Sequence, residues 1–275
     1  MPGRLFLVAT PIGNLGDLSP RAVEVLRAAR VVACEDTRHS RVLFEKFGIH
    51  TPTVSLPAFA EGERAEALVA RLVAGDDVAL VTDAGSPGIS DPGEKLVAEA
   101  LAAGAAVVPV PGPTALVAAL SASGLPTGRF HFLGFLPRQA SEARAMLDEV
   151  AGLSATLALY ESPKRLGETL ALLHDALGDR RACVARELTK LHEDFVRGRL
   201  GELAARYRDV EVKGEVVVLV EGRVGEARWT EAEVTAALEA GLARGERLKT
   251  LSTELARRAG WPAQELYRRG MTLKR

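Results

Sequence analysis

Five short, largely apolar runs alternate with longer stretches of helical period in the first 122 residues, and few folds accept that pattern. The runs are "RLFLVA", "RVVACE", "TPTVSL", "DVALVTD" and "AAVVPV". A strand exposed on one face alternates polar with apolar residues. "RLFLVA" is a continuous apolar run, which predicts a strand buried on both faces, and the others read as further strands. The segments between them carry helix signals. Ser19 followed by Pro20 supplies an N-cap and a first-turn proline, Gly48 and Gly75 sit where helices should stop, and Pro113 opens "PTALVAALSAS". Strand–helix repetition of this kind implies a mostly parallel sheet with helices on both faces.

The segment "ASGLPTGRF" interrupts the pattern and predicts a domain boundary after residue 122. Beyond it, "FHFLGFL", "ATLALYE", "ACVARELT", "HEDFVRG" and "EVVVLVEG" read as strands, and "ASEARAMLDEVAG", "KRLGETLALLHDALG" and "LGELAARYRD" as helices. This half is richer in strands, so a mixed sheet is expected. From Val224 the strands stop. Thr230 and Glu233 have the spacing of a capping box, and two further helices follow, separated by a turn at Gly260, with Pro262 opening the second. The expected organisation is an α/β domain over 1–122, a second α/β domain over 123–226 and a small helical domain over 227–275. Hydrophobic residues at 47% fill such cores, and aromatics at only 5% predict cores of Ala, Val and Leu.

Charge and cysteine content narrow the function classes. The net charge of −1 excludes a surface that coats nucleic acid throughout, but not a local basic patch. From Ala227 onward ten basic residues outnumber six acidic ones. The two cysteines, Cys34 and Cys183, lie in apolar runs and predict buried free thiols. Zinc-type ligand spacing is absent. No apolar run reaches membrane-spanning length, and the stretch before the first strand is too short for a signal peptide, which predicts a cytoplasmic chain.

Three of the apolar runs end in turns rich in glycine and proline: "ATPIGNLGD", "DAGSPGISDPG" and "PGPTALV". Glycine lets the backbone touch a ligand and proline stiffens the loop, so such turns can frame a preformed cleft at the C-terminal ends of the strands. Each turn alone also reads as an ordinary strand-to-helix connection; it is the repetition that points to a site. Neither G-x-x-x-x-G-K-[ST] nor a strand followed by G-x-G-x-x-G occurs. Few basic side chains lie in the turns, which argues against a polyphosphate. Asp83 suits a ligand carrying a positive or hydroxyl group, and a neutral-to-cationic adenosine derivative is one such ligand.

The stretches "VATPIGNLGDLSPRAVEVL", "ACEDTRHSRVLFEKFGI", "LVTDAGSPGISDPG", "VPGPTALVAALSASGLP", "FLGFLPR", "YESPKRL", "ARELTKLHE" and "GEVVVLVEG" together resemble the tetrapyrrole-methylase-type family of S-adenosylmethionine-dependent methyltransferases, and within it the branch that acts on ribosomal RNA. The likeness runs to Gly222, about four-fifths of the chain. It implies two α/β domains with S-adenosylmethionine in the cleft between them, and a homodimer. It further implies methyl transfer to a cytidine ribose 2′-hydroxyl in the decoding region of 16S rRNA, with the 30S subunit as partner. On the family pattern the cofactor positions are Pro11, Asp83, Gly85, Ser86, Gly88, Ile89, Thr114 and Ala115, with Leu133 and Glu215 closing from the second domain. In "YESPKRL", Lys164 stands where histidine is the more frequent family residue, so position 164 is given no role.

A sulfonium donor is already activated, so alignment should dominate the rate, worth up to about 7–11 kcal/mol. A ribose hydroxyl still benefits from a base or an electrostatic stabiliser. The candidates are Glu35, Asp36 and Arg38 in "CEDTRHS" and Arg186, Glu187 and Lys190 in "ARELTKLHE"; a lysine near a sulfonium can be driven toward its neutral form and act as base. Charges at strand ends serve equally as caps and solvated ion pairs. Tyr160 reads as a core tyrosine with its hydroxyl at the rim, and His39 and His192 as surface residues. In the tail, the pairs Arg257–Arg258 and Arg268–Arg269 are candidate phosphate contacts. Two other readings stay open at this point: a methyltransferase of the same fold acting on a small molecule such as a tetrapyrrole, and a non-enzymatic RNA-binding or assembly factor.

Overall fold

The first apolar run forms β1 (Arg4–Val8), which lies between two parallel neighbours and is buried along most of its length. The computed structural model describes residues 1–57, 61–224, 229–259 and 261–273. From the N-terminus, α1 (Pro20–Ala28), β2 (Val31–Cys34), α2 (Thr37–Phe47), β3 (Thr53–Ser55), α3 (Glu61–Val73), β4 (Val78–Val81), α4 (Glu94–Ala102) and β5 (Ala106–Val110) complete a parallel sheet of order β3-β2-β4-β1-β5. Both faces are covered, which explains the unbroken apolar runs. Phe6, Val8, Val32 and Val81 meet Leu26 of α1 and Phe44 of α2, while Leu5, Ala33, Val78 and Leu80 meet Leu68 and Leu72 of α3 and Leu96 of α4. The caps follow the sequence signals. Ser19 Oγ accepts from Ala22 N, and Gly48 ends α2 in a left-handed conformation (φ 59°) that a side chain would strain.

Next in the chain comes α5 (Ala115–Ala122), with Thr114 rather than Pro113 at its N-cap. The helix lies against the second sheet, not the first: Leu116, Ala119 and Leu120 contact Ala158, Cys183, Ala185, Val217 and Leu219. That sheet comprises β6 (Phe130–Phe135), β7 (Thr156–Glu161), β8 (Arg181–Arg186), β9 (Asp194–Arg199) and β10 (Val216–Val220) in the order β6-β7-β10-β8-β9. It is mixed as expected, with only β6 and β7 parallel. Its other face carries α6 (Ala140–Val150), α7 (Leu166–Leu177) and α8 (Leu200–Tyr207) over a leucine- and valine-rich core. Cys34 and Cys183 are both buried thiols, and burial pushes Cys34 up to about 11, away from thiolate chemistry.

The tail forms a three-helix unit, α9 (Glu231–Ala243), α10 (Leu248–Ala259) and α11 (Ala263–Leu273), around Leu238, Leu251, Leu255, Trp261 and Leu266. The capping box at Thr230 is made in both directions: Thr230 Oγ1 accepts from Glu233 N, and Thr230 N donates to Glu233 Oε2. The turn expected at Gly260 and the boundary expected between residues 226 and 227 lie outside the described residues. Among those residues no helix is long and apolar enough to cross a membrane.

Leu170 of α7 is fully buried against the second sheet. Leu170→Ala is expected to cost about 2–5 kcal/mol in urea-induced unfolding; a loss well under 1 kcal/mol would mean that this core is not packed as described.

Candidate active site

The three glycine/proline turns leave three adjacent strands. β4, β1 and β5 are neighbours and run in the same direction, so the turns that follow them emerge at one end of the sheet. Backbone bonds pin them together. Thr10 N donates to Gly85 O at 2.8 Å, Gly85 N donates to Thr10 O at 3.1 Å, and Ala9 N donates to Val110 O at 3.2 Å. Gly112 lies so close to the first turn that a Cβ there would stand 2.9 Å from Ala9 Cβ. Gly85 itself has φ 84°, a conformation that favours glycine.

Together with the ends of β7 and β10, these turns enclose a cavity of about 340 Å³ between the two sheets, within the roughly 300–1,000 Å³ usual for small-molecule sites. The first sheet's side contributes Ile12, Glu35, the turn from Asp83 to Ser86, Ile89, Ser90 and Asp91, and the start of α5 adds Thr114 and Ala115. The second contributes Phe135, Tyr160, Glu161, Ser162, Pro163, Leu188 and the stretch from Glu215 to Val217. Three residues other than glycine have left-handed backbone among the described ones: Ser90 (φ 66°), Glu187 (φ 48°) and Thr189 (φ 65°). All three lie in the cavity wall or flank Leu188, as expected where a site rather than local propensity dictates the backbone.

Five carboxylates line this space, and three of them, Glu35, Asp83 and Asp91, gather on the first sheet's side. Glu35 Oε2 accepts from Asp83 N at 3.3 Å, and Asp83 Oδ1 accepts from Asp36 N at 3.3 Å. Burial, followed by the charges of Glu35 and Asp83, pushes Asp91 up to about 7. Burial also lifts Glu35 above the usual carboxylate range, with the neighbouring Asp83 charge adding to it against a hydrogen bond from the Asp83 backbone. Negative charge crowded between apolar walls calls for a positive ligand.

On the opposite side, Tyr160 is half-buried and its hydroxyl accepts from Leu116 N at 3.3 Å. It thereby caps α5, whose own Thr114 makes no side-chain cap. Burial raises the Tyr160 phenol above its ordinary value, so it stays protonated. Glu161 is 2% exposed; its oxygens accept from Ser162 N and from Thr169 Oγ1, each at 2.6 Å. Lys190 Nζ donates to Glu187 Oε1 at 2.9 Å and to Glu215 Oε2 at 3.2 Å. Its aliphatic stem lies over Gly13, where a Cβ would come within 2.5 Å of Lys190 Cγ. Burial disfavours the Lys190 charge, but the bonds to Glu187 and Glu215 outweigh it and the pKa is raised. The lysine is therefore held charged, the reverse of the neutral base that the sequence suggested.

Of the positions expected to hold the cofactor, Asp83, Gly85, Ser86, Ile89, Thr114, Ala115 and Glu215 line the cavity. Pro11 lies in an adjoining hollow with Thr10, His39 and Asp83. Gly88 stands one residue behind the lining, and the Leu133 side chain is in the core with α6 and α7. Asp36 and Arg38 pair outside the cavity at the start of α2; Arg38 bonds hold Asp36 down to about 2, and Arg38 is largely exposed. In the tail, Arg268 is exposed, whereas Arg269 bonds to Glu231 and stacks 4.5 Å over Trp261. The side chains of Arg257 and Arg258 lie outside the described ones. Sequence reasoning passed over Asp91, Phe135 and Glu161. Asp91 sits in the quoted turn and its acidity was the available signal; nothing local marked the other two.

A protein-family model for tetrapyrrole (corrin/porphyrin) methylases matches residues 4–204. The chain belongs to that family, and S-adenosylmethionine is its methyl donor. Over nearly its whole length it is similar to proteins named ribosomal RNA small subunit methyltransferase I. It is 45% identical to that of Mesorhizobium japonicum over 98% of this chain and 92% of the relative. It is 44% identical to that of Synechocystis sp. over 99% of each. Among solved structures, a uroporphyrin-III C-methyltransferase from Thermus thermophilus complexed with S-adenyl homocysteine superposes with a TM-score of 0.57 at 24% identity, covering 80% of this chain and 97% of that one, and so shares the fold.

The cavity suits the donor. S-adenosylmethionine carries a sulfonium and an ammonium against one carboxylate, and the wall offers Glu35, Asp83 and Asp91. In the ligand-free protein that cluster should be destabilising at high pH. The Asp91 pKa lies near 7 when folded against an ordinary 3.8, so its contribution to stability is present below about 4 and is lost as pH rises through 7. Asp91→Asn is expected to raise the melting temperature of the ligand-free protein at pH 8 by on the order of 2–4 °C, the worth of about 1 kcal/mol in a chain this size. The gain should shrink toward pH 5; a gain independent of pH would refute the assignment.

Proposed function

We propose that the protein methylates small-subunit ribosomal RNA, at a cytidine ribose 2′-hydroxyl in the 16S decoding region, as a cytoplasmic homodimer. The observation that carries the reading is the match along the whole chain, helical tail included, to relatives named for that rRNA activity. The cytidine 2′-hydroxyl and the decoding region rest on the motif resemblance, as do the homodimer and the division into units at 1–122, 123–226 and 227–275. A small-molecule acceptor has no need of a basic helical tail, which favours RNA.

When bound, S-adenosylmethionine supplies an electrophilic methyl group. Asp83 and Glu35 neutralise its positive charge, and the rigid turn from Asp83 to Ser86, with Thr114 and Ala115, fixes its position. Asp91 takes the proton from the acceptor hydroxyl, because a carboxylate with a pKa near 7 is ionised enough to accept it and basic enough to keep it during transfer. Charged Lys190, with Glu187 and Glu215, positions the loop after β8 against the first turn. Arg257, Arg258 and Arg268 supply positive charge for RNA phosphates, while Arg269 is taken up by Glu231.

Incubation of unmethylated 30S subunits with the protein and labelled S-adenosylmethionine is expected to yield an alkali-resistant 2′-O-methylated dinucleotide in 16S rRNA. Label at a base, or transfer only to a tetrapyrrole, would overturn the reading. Single-turnover rates should climb with pH as Asp91 loses its proton, with a midpoint below the ligand-free value of about 7 because the bound sulfonium favours the carboxylate. In Asp91→Asn that climb should vanish and the rate should fall about 10²–10⁴-fold. Lys190→Met should retain the climb; if it alone abolished it, the lysine would be the base.

A further inference from the structure

We propose that Phe135 is the platform on which the base of the acceptor nucleotide stacks while its ribose faces the methyl donor, an inference that rests on the RNA-methyltransferase reading. Phe135 is a large apolar side chain left 54% exposed in the wall of the cavity. Ile12, Leu188 and Val217 in the wall are buried, so the exposed large apolar side chains of the site are Phe135 and, from the other sheet's turns, Ile89. Two exposed apolar groups facing one cavity from opposite units mark a contact still to be made.

The backbone works to put Phe135 there. β6 pairs in register with β7 through Phe132↔Ala158, and then Phe135 pairs with Tyr160, so β6 contains one extra residue. That bulge includes Gly134, whose φ of 63° favours glycine. Without it, strict alternation would send the next side chain to the other face; bulges beside active sites re-aim side chains in this way. The ring is also backed. Its centroid is 5.6 Å from that of Tyr160, which stands 4.9 Å edge-on from Phe132 and is tied through its hydroxyl to Leu116 N. A rigid aromatic ring with an open outer side suits a flat partner.

An acceptor nucleotide has to supply that partner. A 2′-hydroxyl can reach a donor held between two sheets only if its nucleotide leaves the RNA stack, and the base it withdraws loses its neighbours. Proteins that hold unstacked bases replace those neighbours with aromatic rings. Stacking is tolerant of base identity, so Phe135 sets affinity for an unpaired nucleotide rather than for cytidine as such.

Phe135→Ala and Phe135→Trp test the idea. With 30S subunits as substrate, Phe135→Ala is expected to raise KM for the subunit about 10–100-fold, while calorimetry shows a Kd for S-adenosylmethionine within twofold of wild type. Phe135→Trp is expected to restore KM. An unchanged KM would overturn the proposal, and so would a parallel loss of donor affinity, which would place the ring against the donor's adenine. A readout without turnover separates this from the activity itself. A short single-stranded oligoribonucleotide added without methyl donor should quench the extra fluorescence of Phe135→Trp over wild type. Binding without quenching would sink the platform; quenching with no methylation of 30S by the wild-type protein would sink the activity and leave the platform standing.

Discussion

The reciprocal backbone bonds between Thr10 and Gly85 hold the site together. They form an isolated antiparallel bridge beyond the ends of the parallel strands β1 and β4, so two loops that would otherwise move separately share a sheet-like link. The third turn joins through Ala9, which bonds to Val110 and leaves Gly112 no room for a side chain. The order β4-β1-β5 makes this possible, because only adjacent parallel strands deliver their turns side by side. Proline then stiffens what the bonds align. The cleft is consequently a product of sheet order, and the particular side chains in it are a second layer.

That second layer costs stability in the absence of ligand. Glu35, Asp83 and Asp91 repel one another among apolar walls, and Ser90, Glu187 and Thr189 hold left-handed backbone without being glycine. The protein supports these features with an apolar core on each face of both sheets. A cationic donor offsets the first cost directly. The lysine that sequence reading made a free base is instead neutralised by Glu187 and Glu215, so positive charge near the cleft is fixed in place and does not titrate near neutrality.

The fold was legible where local physics decides. The apolar run of β1, Ser19–Pro20, Gly48 and the Thr230–Glu233 box each correspond to an observed element or cap. The allegiance of α5 was not legible, because its small apolar residues suit either sheet and only the tertiary arrangement chooses. At the site, the sequence showed residue types but not directions. In "CEDTR" three charged groups follow one strand; Glu35 turns into the cavity, whereas Asp36 and Arg38 cap α2 outside it. In "FLGF" period-two reasoning cannot see the bulge that buries Leu133 and presents Phe135. Asp91 looked like ordinary turn chemistry because its altered acidity comes first from burial and then from the charges of Glu35 and Asp83, neither of which the local sequence shows.

The placement of α5 bears on motion. This helix carries Thr114 and Ala115, lies on the second sheet and is capped by Tyr160 from that sheet, yet its chain arrives from β5 of the first. Any widening of the cleft would therefore carry those two residues away with the far half. The Pro111–Pro113 segment that joins the two halves has two proline rings and few free torsions, so it resists that widening. A donor pocket divided along that seam is held shut by the stiff join between its two halves, so each half keeps its own share of the contacts.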